Sequence, residues 1–281
     1  MTASPPPAPR ADCAVLTTLY RKDDLGYFDL AIRSIRDQDH VRGDIRIYLY
    51  VDGEISPEQE RFLAEHAGWF HRIFRGEWNL GLARGLNFLL GQIGDEDYVF
   101  RMDGDDLSKP DRFSTQIAFL ERNPAIDLCG CQSEEIDEHG AVLNTRDYPL
   151  RHEDIRRSLS RCNPVLHPTY CIRGSSLRRD RLRYPDLYLT EDLGFLHRAV
   201  LAGWTLANCP ARCFQWRVTA NFFRRRNLRR AWVEFTVLNR IIWDLHGPTY
   251  RFVYPLIRLV ARMLPPSVTR LIYRSGLRDR L

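Results

Sequence analysis

Apolar positions in this chain fall into short runs separated by stretches of helical spacing. Cys13 to Leu19 is one such run, and Ile45, Ile47, Leu49 and Val51 alternate with Arg46, Tyr48 and Tyr50. Both patterns predict strands. Between them Phe28, Ile32 and Ile35 recur at helical spacing. The chain therefore opens strand, helix, strand, the start of a parallel α/β sheet. Further on, Leu82, Leu86, Leu89 and Ile93 share a helical face, with Asn79 as the expected cap. A short apolar run then ends in Asp103-Gly104-Asp105-Asp106. Lys109-Pro110-Asp111-Arg112 starts a helix with Phe113, Ile117 and Leu120 on its apolar side. Ile126 to Cys131 reads as a strand. Thr190 is the expected cap of a helix lined by Leu193, Leu196, Val200 and Leu201, and Phe214 to Arg217 reads as a strand end.

With 281 residues, 44% of them apolar, the chain can bury one large core or two smaller ones, which excludes the disordered class. Seven scattered cysteines argue against a disulfide framework. No charged n-region with an apolar h-region opens the chain, which argues against secretion. Residues 1–10, with Pro5, Pro6, Pro7 and Pro9, read as a disordered lead-in. The net charge of +5 hides an asymmetry: from Leu201 onward fifteen Arg, no Lys and three acids give +12, so the first 200 residues carry −7. A basic tail on an acidic body suggests an anionic partner, either nucleic acid or a phospholipid surface.

The acidic cluster is the first candidate site. Three carboxylates within four residues repel unless protonated or bridged by a cation, and oxygen ligands suit Mg²⁺ or Mn²⁺. An EF-hand is excluded, because counting from Asp103 its glycine and bidentate glutamate positions hold Ser108 and Ser114. A strand running into such carboxylates points to a phosphate-bearing ligand. Asp52 ends the second strand, where open α/β sheets bind ligands, although a turn acid reads the same way. Arg84 lies one turn into the following helix, able to reach a phosphate. Gly81-x-x-x-Gly85 is neither a dinucleotide fingerprint nor a Walker loop. Cys129-x-Cys131 reads as packed thiols, its spacing being short for zinc. His167, between Pro164 and Pro168, is a lone histidine of the kind more often structural than functional. Glu191 and Asp192 suit helix capping and equally a general base. Arg217 is a further phosphate candidate.

In order along the chain, Thr17-Thr18-Leu19-Tyr20, Asp52, Asn79-x-Gly81 with Arg84, Asp103-x-Asp105, Pro110-Asp111-Arg112, His167-Pro168-Thr169 and Glu191-Asp192 resemble the family 2 glycosyltransferases. The resemblance spans about Ala14 to Val218 and implies a GT-A fold, an α/β sandwich on a mostly parallel central sheet. A catalytic domain would then cover residues 11–219, with a basic helical extension over 220–281. It implies a nucleotide-sugar donor, most simply a UDP-sugar, with Thr18, Tyr20, Asp52, Asn79, Arg84 and Asp103 on the nucleotide side. Asp105, with Asp103 and Asp106, would hold Mn²⁺ or Mg²⁺. Asp192 would be the catalytic base with Glu191 beside it, and His167 would lie on the acceptor side. Single displacement would invert the anomeric centre. Gln215-Trp216-Arg217 stands where processive members carry Gln-x-x-Arg-Trp, and no apolar run approaches 18 residues, so polymer extrusion is not expected. No Asn follows Tyr20, where the family often has one.

In the tail, Leu256, Ile257, Val260 and Leu264 fall on one arc of a helical wheel, with Arg251, Arg258 and Arg262 opposite and Pro255 as an early boundary. This predicts either a helix on an anionic membrane surface or one packed on the core with a solvated arginine face. Leu264-Pro265-Pro266 through Ile272-Tyr273-Arg274 resembles bacterial exopolysaccharide transferases of the amylovoran type. A glycan or lipid-linked oligosaccharide acceptor would suit that class, in the cytoplasm or at the inner face of the membrane. Two rivals explain less. A sugar-1-phosphate nucleotidyltransferase should carry a glycine-rich loop after the first strand, and Thr17 to Arg21 has no glycine. A nucleic-acid-binding protein using Arg224-Arg225-Arg226 and Arg229-Arg230 would leave both acidic motifs unexplained.

Overall fold

The structure is a computed structural model that describes residues 11–219 and 228–263. The expected lead-in, the Arg224–Arg226 run and the Leu264–Arg274 motif lie outside those residues. The elements run β1 (Cys13–Leu19), α1 (Leu25–Arg36), β2 (Ile45–Val51), α2 (Pro57–Glu65), β3 (Arg72–Arg75), α3 (Leu82–Leu90) and β4 (Tyr98–Arg101). Next come β5 (Leu107–Ser108), α4 (Arg112–Arg122), β6 (Leu128–Ile136), β7 (Val142–Arg146), α5 (His152–Ser158), β8 (Cys171–Arg173) and α6 (Gly174–Asp180). The last are α7 (Glu191–Leu201), β9 (Leu206–Arg217), α8 (Leu228–His246) and α9 (Val253–Met263).

The strands form one sheet of order β3-β2-β1-β4-β8-β6-β9-β5, with β7 paired to β6. From β3 to β4 every pairing is parallel, as the opening strand-helix-strand pattern requires. Beyond β4 the sheet is mixed: β8 runs antiparallel to β4 and β6, whereas β6 and β9 are parallel. β1 is buried along nearly its whole length because both of its faces are covered, and it is apolar apart from Thr17 and Thr18. Val15 and Phe100 join Phe28, Ile32, Phe113 and Ile117 on the side of α1 and α4. Leu16 and Val99 join Leu86, Leu89, Phe195 and Leu196 on the side of α3 and α7. Leu238 and Ile241 of α8 extend this second layer, and His197 meets Asp244 across the α7–α8 contact at 3.3 Å.

Arg112 departs from its sequence reading as a charged helix start, because its side chain is fully buried. Its guanidinium donates to the carbonyls of Arg101 and Pro168 at 3.0 and 2.8 Å, to Ser108 Oγ at 2.9 Å and to Gln116 Oε1 at 3.0 Å. Phe214 lies under the plane, 4.9 Å away. Burial lowers the affinity of this guanidinium for its proton. The fork is filled by neutral oxygens instead of a carboxylate, which fixes three chain segments around one side chain.

Arg112→Met should therefore strand several buried acceptors, costing about 3 kcal/mol or more of stability. Urea denaturation checks this, and a loss of less than about 1 kcal/mol would contradict the clamp.

Candidate active site

The donor side is built where β1, β2 and β4 end. Asp52, just past β2, is buried and accepts from the backbone N–H groups of Leu80 at 2.7 Å and Gly81 at 2.9 Å. It thereby anchors the loop ahead of α3. The expected cap, Asn79, does not cap the helix: Gly81 occupies that position at φ 88°, and the Asn79 amide points to the Asp52 carbonyl at 3.4 Å. Gly53, at φ 83°, is required here, because a Cβ would sit 2.7 Å from the Asn79 nitrogen. Tyr20 closes a turn with its N–H on Asp23 at 2.8 Å, and its carbonyl accepts from Gln59 at 3.1 Å. Thr18 lies between α3 and the acidic turn, its methyl facing Gly85 and its carbonyl facing Gly104.

In the acidic turn, one carboxylate oxygen each from Asp103, Asp105 and Asp106 lies within 4.8 Å of the others. Asp103 is ion-paired with Arg101, whose side chain is 3% exposed. Asp106 is 1% exposed; its Oδ1 accepts from the Arg217 N–H at 2.8 Å, and its buried Oδ2 has no hydrogen-bond partner among the described residues. Burial first, then Asp105 and Asp103, holds its carboxyl well above the usual range. An orphaned buried oxygen beside two further carboxylates fits a hard divalent cation, whose shared ligand oxygens lie within about 4 Å of one another. Arg217 does not face this space as a phosphate ligand. Its guanidinium is taken by the carbonyls of Asp105 at 2.9 Å and Asp137 at 2.8 Å and stacks over Tyr27 at 4.3 Å.

Opposite, the loop before α7 is pinned to α3. Asn87 exchanges two bonds with the backbone of Tyr184 at 2.9 and 2.7 Å, and Arg84 pairs with Asp186 at 2.8 Å, an exposed contact. Thr190 holds the capping position of α7 without a side-chain bond. Asp192 accepts from Asn163 Nδ2 at 2.6 Å and from the Leu193 N–H at 2.7 Å. Burial raises its pKa, and burial together with Asp192 pushes Glu191 up to about 7. The charge of Arg101 acts on Asp103, Asp106, Glu191 and Asp192, so both carboxylate groups lie about one buried guanidinium.

His167, expected on the acceptor side, is buried instead, with its Nε2 2.9 Å from the Tyr184 hydroxyl and its ring edge-on to Tyr170. Burial and Arg101 depress its pKa well below the usual range, so the ring is neutral. Arg101, Asn87, Asn163 and Tyr184 were not singled out from the sequence. Only Arg101 carries a signal, an arginine in an apolar strand two residues before Asp103.

An α/β sheet of this order, with an aspartate turn at its strand ends, is the arrangement of a GT-A glycosyltransferase fold. The chain belongs to glycosyl transferase family 2, whose sequence profile matches residues 15–182. Both rival functions are thereby set aside. The chain is 28% identical, over 93% of its length and 98% of the relative's, to an amylovoran biosynthesis glycosyltransferase, AmsE, of Erwinia amylovora. It is 24% identical, over 94% of its length and 96% of the relative's, to an Escherichia coli UDP-Gal:alpha-D-GlcNAc-diphosphoundecaprenol beta-1,3-galactosyltransferase. Among solved structures, the mannosyltransferase PcManGT of Pyrobaculum calidifontis in complex with GDP-Man and Mn²⁺ superposes with a TM-score of 0.61. That match has 17% identity and covers 98% of this chain and 83% of that one, and it shows the shared fold.

A carboxyl whose folded pKa lies above its unfolded value favours the folded state while protonated, and stability falls as pH rises from about 4.5 to about 7. Glu191→Gln should flatten that fall, by on the order of 2 kcal/mol. Thermal denaturation across pH 4.5 to 7.5 measures it (pH range set about the unfolded and folded values). Parallel curves for the two proteins would contradict the buried-acid geometry.

Proposed function

We propose that this glycosyltransferase moves one sugar at a time from a nucleotide donor, most simply a UDP-sugar, to a hydroxyl of a glycan or lipid-linked acceptor. The setting would be bacterial surface polysaccharide synthesis, in the cytoplasm or at the inner face of its membrane. The observation that carries this reading is the three-aspartate turn and the half-buried Asp192 lying about one buried guanidinium, that of Arg101. The donors and acceptors in the names of the relatives support it.

Asp103, Asp105 and Asp106 would hold Mn²⁺ or Mg²⁺. When bound, that ion would neutralise the charge growing on the departing nucleoside diphosphate. Thr18, Tyr20, Asn79 and the loop pinned by Asp52 would frame the nucleotide, and Arg84 would trade Asp186 for a phosphate. Asp192, oriented by Asn163, accepts the proton of the acceptor hydroxyl. The freed oxygen forms its bond to the anomeric carbon from the face opposite the diphosphate while the carbon–phosphate-oxygen bond breaks. The centre is inverted. A pKa raised by burial makes Asp192 a better proton acceptor at neutral pH, and Glu191 beside it keeps the pair from ionising twice without compensation.

Asp192→Asn should lower kcat by about 100-fold or more with donor affinity nearly unchanged, since the base acts on the acceptor proton. Steady-state kinetics with donor titration separates the two. Near-normal turnover would move the base to Glu191, and a collapse of donor affinity would make Asp192 part of the nucleotide pocket.

A further inference from the structure

α9 sits on α8 inside out. An amphipathic helix on a water-exposed body normally turns its apolar stripe inward. Here the arginine side faces in: Arg258 Nε is 2.6 Å from Glu234, its Nη1 donates to the Arg161 carbonyl at 2.9 Å, and Pro255 and Leu259 line the crevice against α8. The apolar side faces out. Leu256 and Val260 are 52% and 53% exposed, with Val253 and Ile257 beside them. α8 adds Trp232 and Trp243, and Tyr250 stands in the connection between the helices, all three exposed. The helix is thus packed on α8, as one of the two expected arrangements has it, but with Arg258 turned partly inward.

Arginines cluster around the base of this ridge, where it meets the body. Arg156 donates to the Leu245 carbonyl at 3.1 Å, Arg251 to Ser160 Oγ at 3.1 Å, and Arg161 lies 4.2 Å over the Tyr254 ring. Arg240 is 73% exposed beside Asp244. A two-fold contact between copies would set this arginine rim against itself, which costs free energy unless anions intervene. Anionic headgroups meet both features at once, arginines on phosphate and tryptophans at the boundary between headgroup and acyl chain. Among the described residues no helix is long and apolar enough to cross a membrane, so contact would be with a surface. The ridge also adjoins the cleft: at the start of α8, Arg229 stacks 4.5 Å over Tyr188, in the loop that ends at Glu191.

We propose that α8 and α9 form a docking face for an anionic bilayer, with Leu256, Ile257, Val260, Trp232 and Trp243 in the interface and the arginine rim on lipid phosphates. It deepens the reading of a lipid-linked acceptor, because the loop ahead of Asp192 is then held beside the surface from which such an acceptor is drawn.

The test is flotation of the full chain with phosphatidylcholine vesicles, with and without about one-third phosphatidylglycerol, read beside tryptophan quenching by brominated lipid and analytical ultracentrifugation. Binding to the anionic vesicles should weaken about tenfold or more as salt rises, and by a similar factor in Leu256→Glu with Val260→Glu, whose positions are solvent-exposed and tolerate the change in a folded chain. Folded chain that stays off anionic vesicles would overturn the proposal. So would binding untouched by the double substitution, or a dimer that the substitution dissociates without any vesicle binding. The readout needs no substrate: failed docking with intact transfer refutes this face alone, and intact docking without transfer refutes the proposed function alone.

Discussion

One buried guanidinium holds the two halves of the cleft in register. Arg112 ties the carbonyl of Arg101, at the end of β4, to the carbonyl of Pro168, in the turn beside His167. The first precedes the three aspartates, and the second lies beside His167, whose ring meets Tyr170 and Tyr184. A fork that fills with backbone oxygens specifies direction as well as distance, which an ammonium on a flexible stem would not. The site is therefore built on strand ends and a packed side chain, with the loops draped over it. Such an arrangement suits a reaction in which donor and acceptor must meet in line.

Around that clamp the cleft sorts its negative charge. Four carboxylates, Asp103, Asp106, Glu191 and Asp192, feel the charge of one buried arginine, Arg101, and they are relieved in different ways. Asp103 takes the ion pair, while Asp106 keeps an oxygen with no partner in a site that burial and its neighbours make hostile to charge. Glu191 and Asp192 sit in the first turn of α7, where the helix dipole and the Leu193 N–H offset part of the cost and a shared proton offsets the rest. One cluster is thus short of a cation and the other is poised to gain a proton. In the proposed function that difference would separate a diphosphate-binding role from a proton-accepting one.

Much of this was legible in the sequence because the signals were local. β1 and β2 read as strands since burial on both faces or strict alternation leaves a pattern seven residues long. The aspartate turn was visible because its charges are contiguous. The remainder depends on partners far apart in the chain. Asn79 was expected to cap α3, but Asp52, 28 residues before Leu80, holds that loop instead and leaves Asn79 to the strand end. Arg112 looked like an ordinary charged residue at a helix start, and nothing local separates it from a solvated one. His167 was a candidate on the acceptor side, and only the fold shows it closed in by Tyr170 and Tyr184. The tail helix was correctly amphipathic, yet which side faces the body was set by Glu234, 24 residues before Arg258.

In the proposed function the aspartate turn would receive a diphosphate through a divalent cation. Calorimetric titration of UDP into the protein, with Mn²⁺ and then with chelator, tests it most directly, alongside the same titrations of Asp105→Asn. Binding should require the cation and weaken about tenfold or more in the variant. Equal UDP affinity in Mn²⁺ and in chelator, or an unchanged affinity in Asp105→Asn, would contradict it.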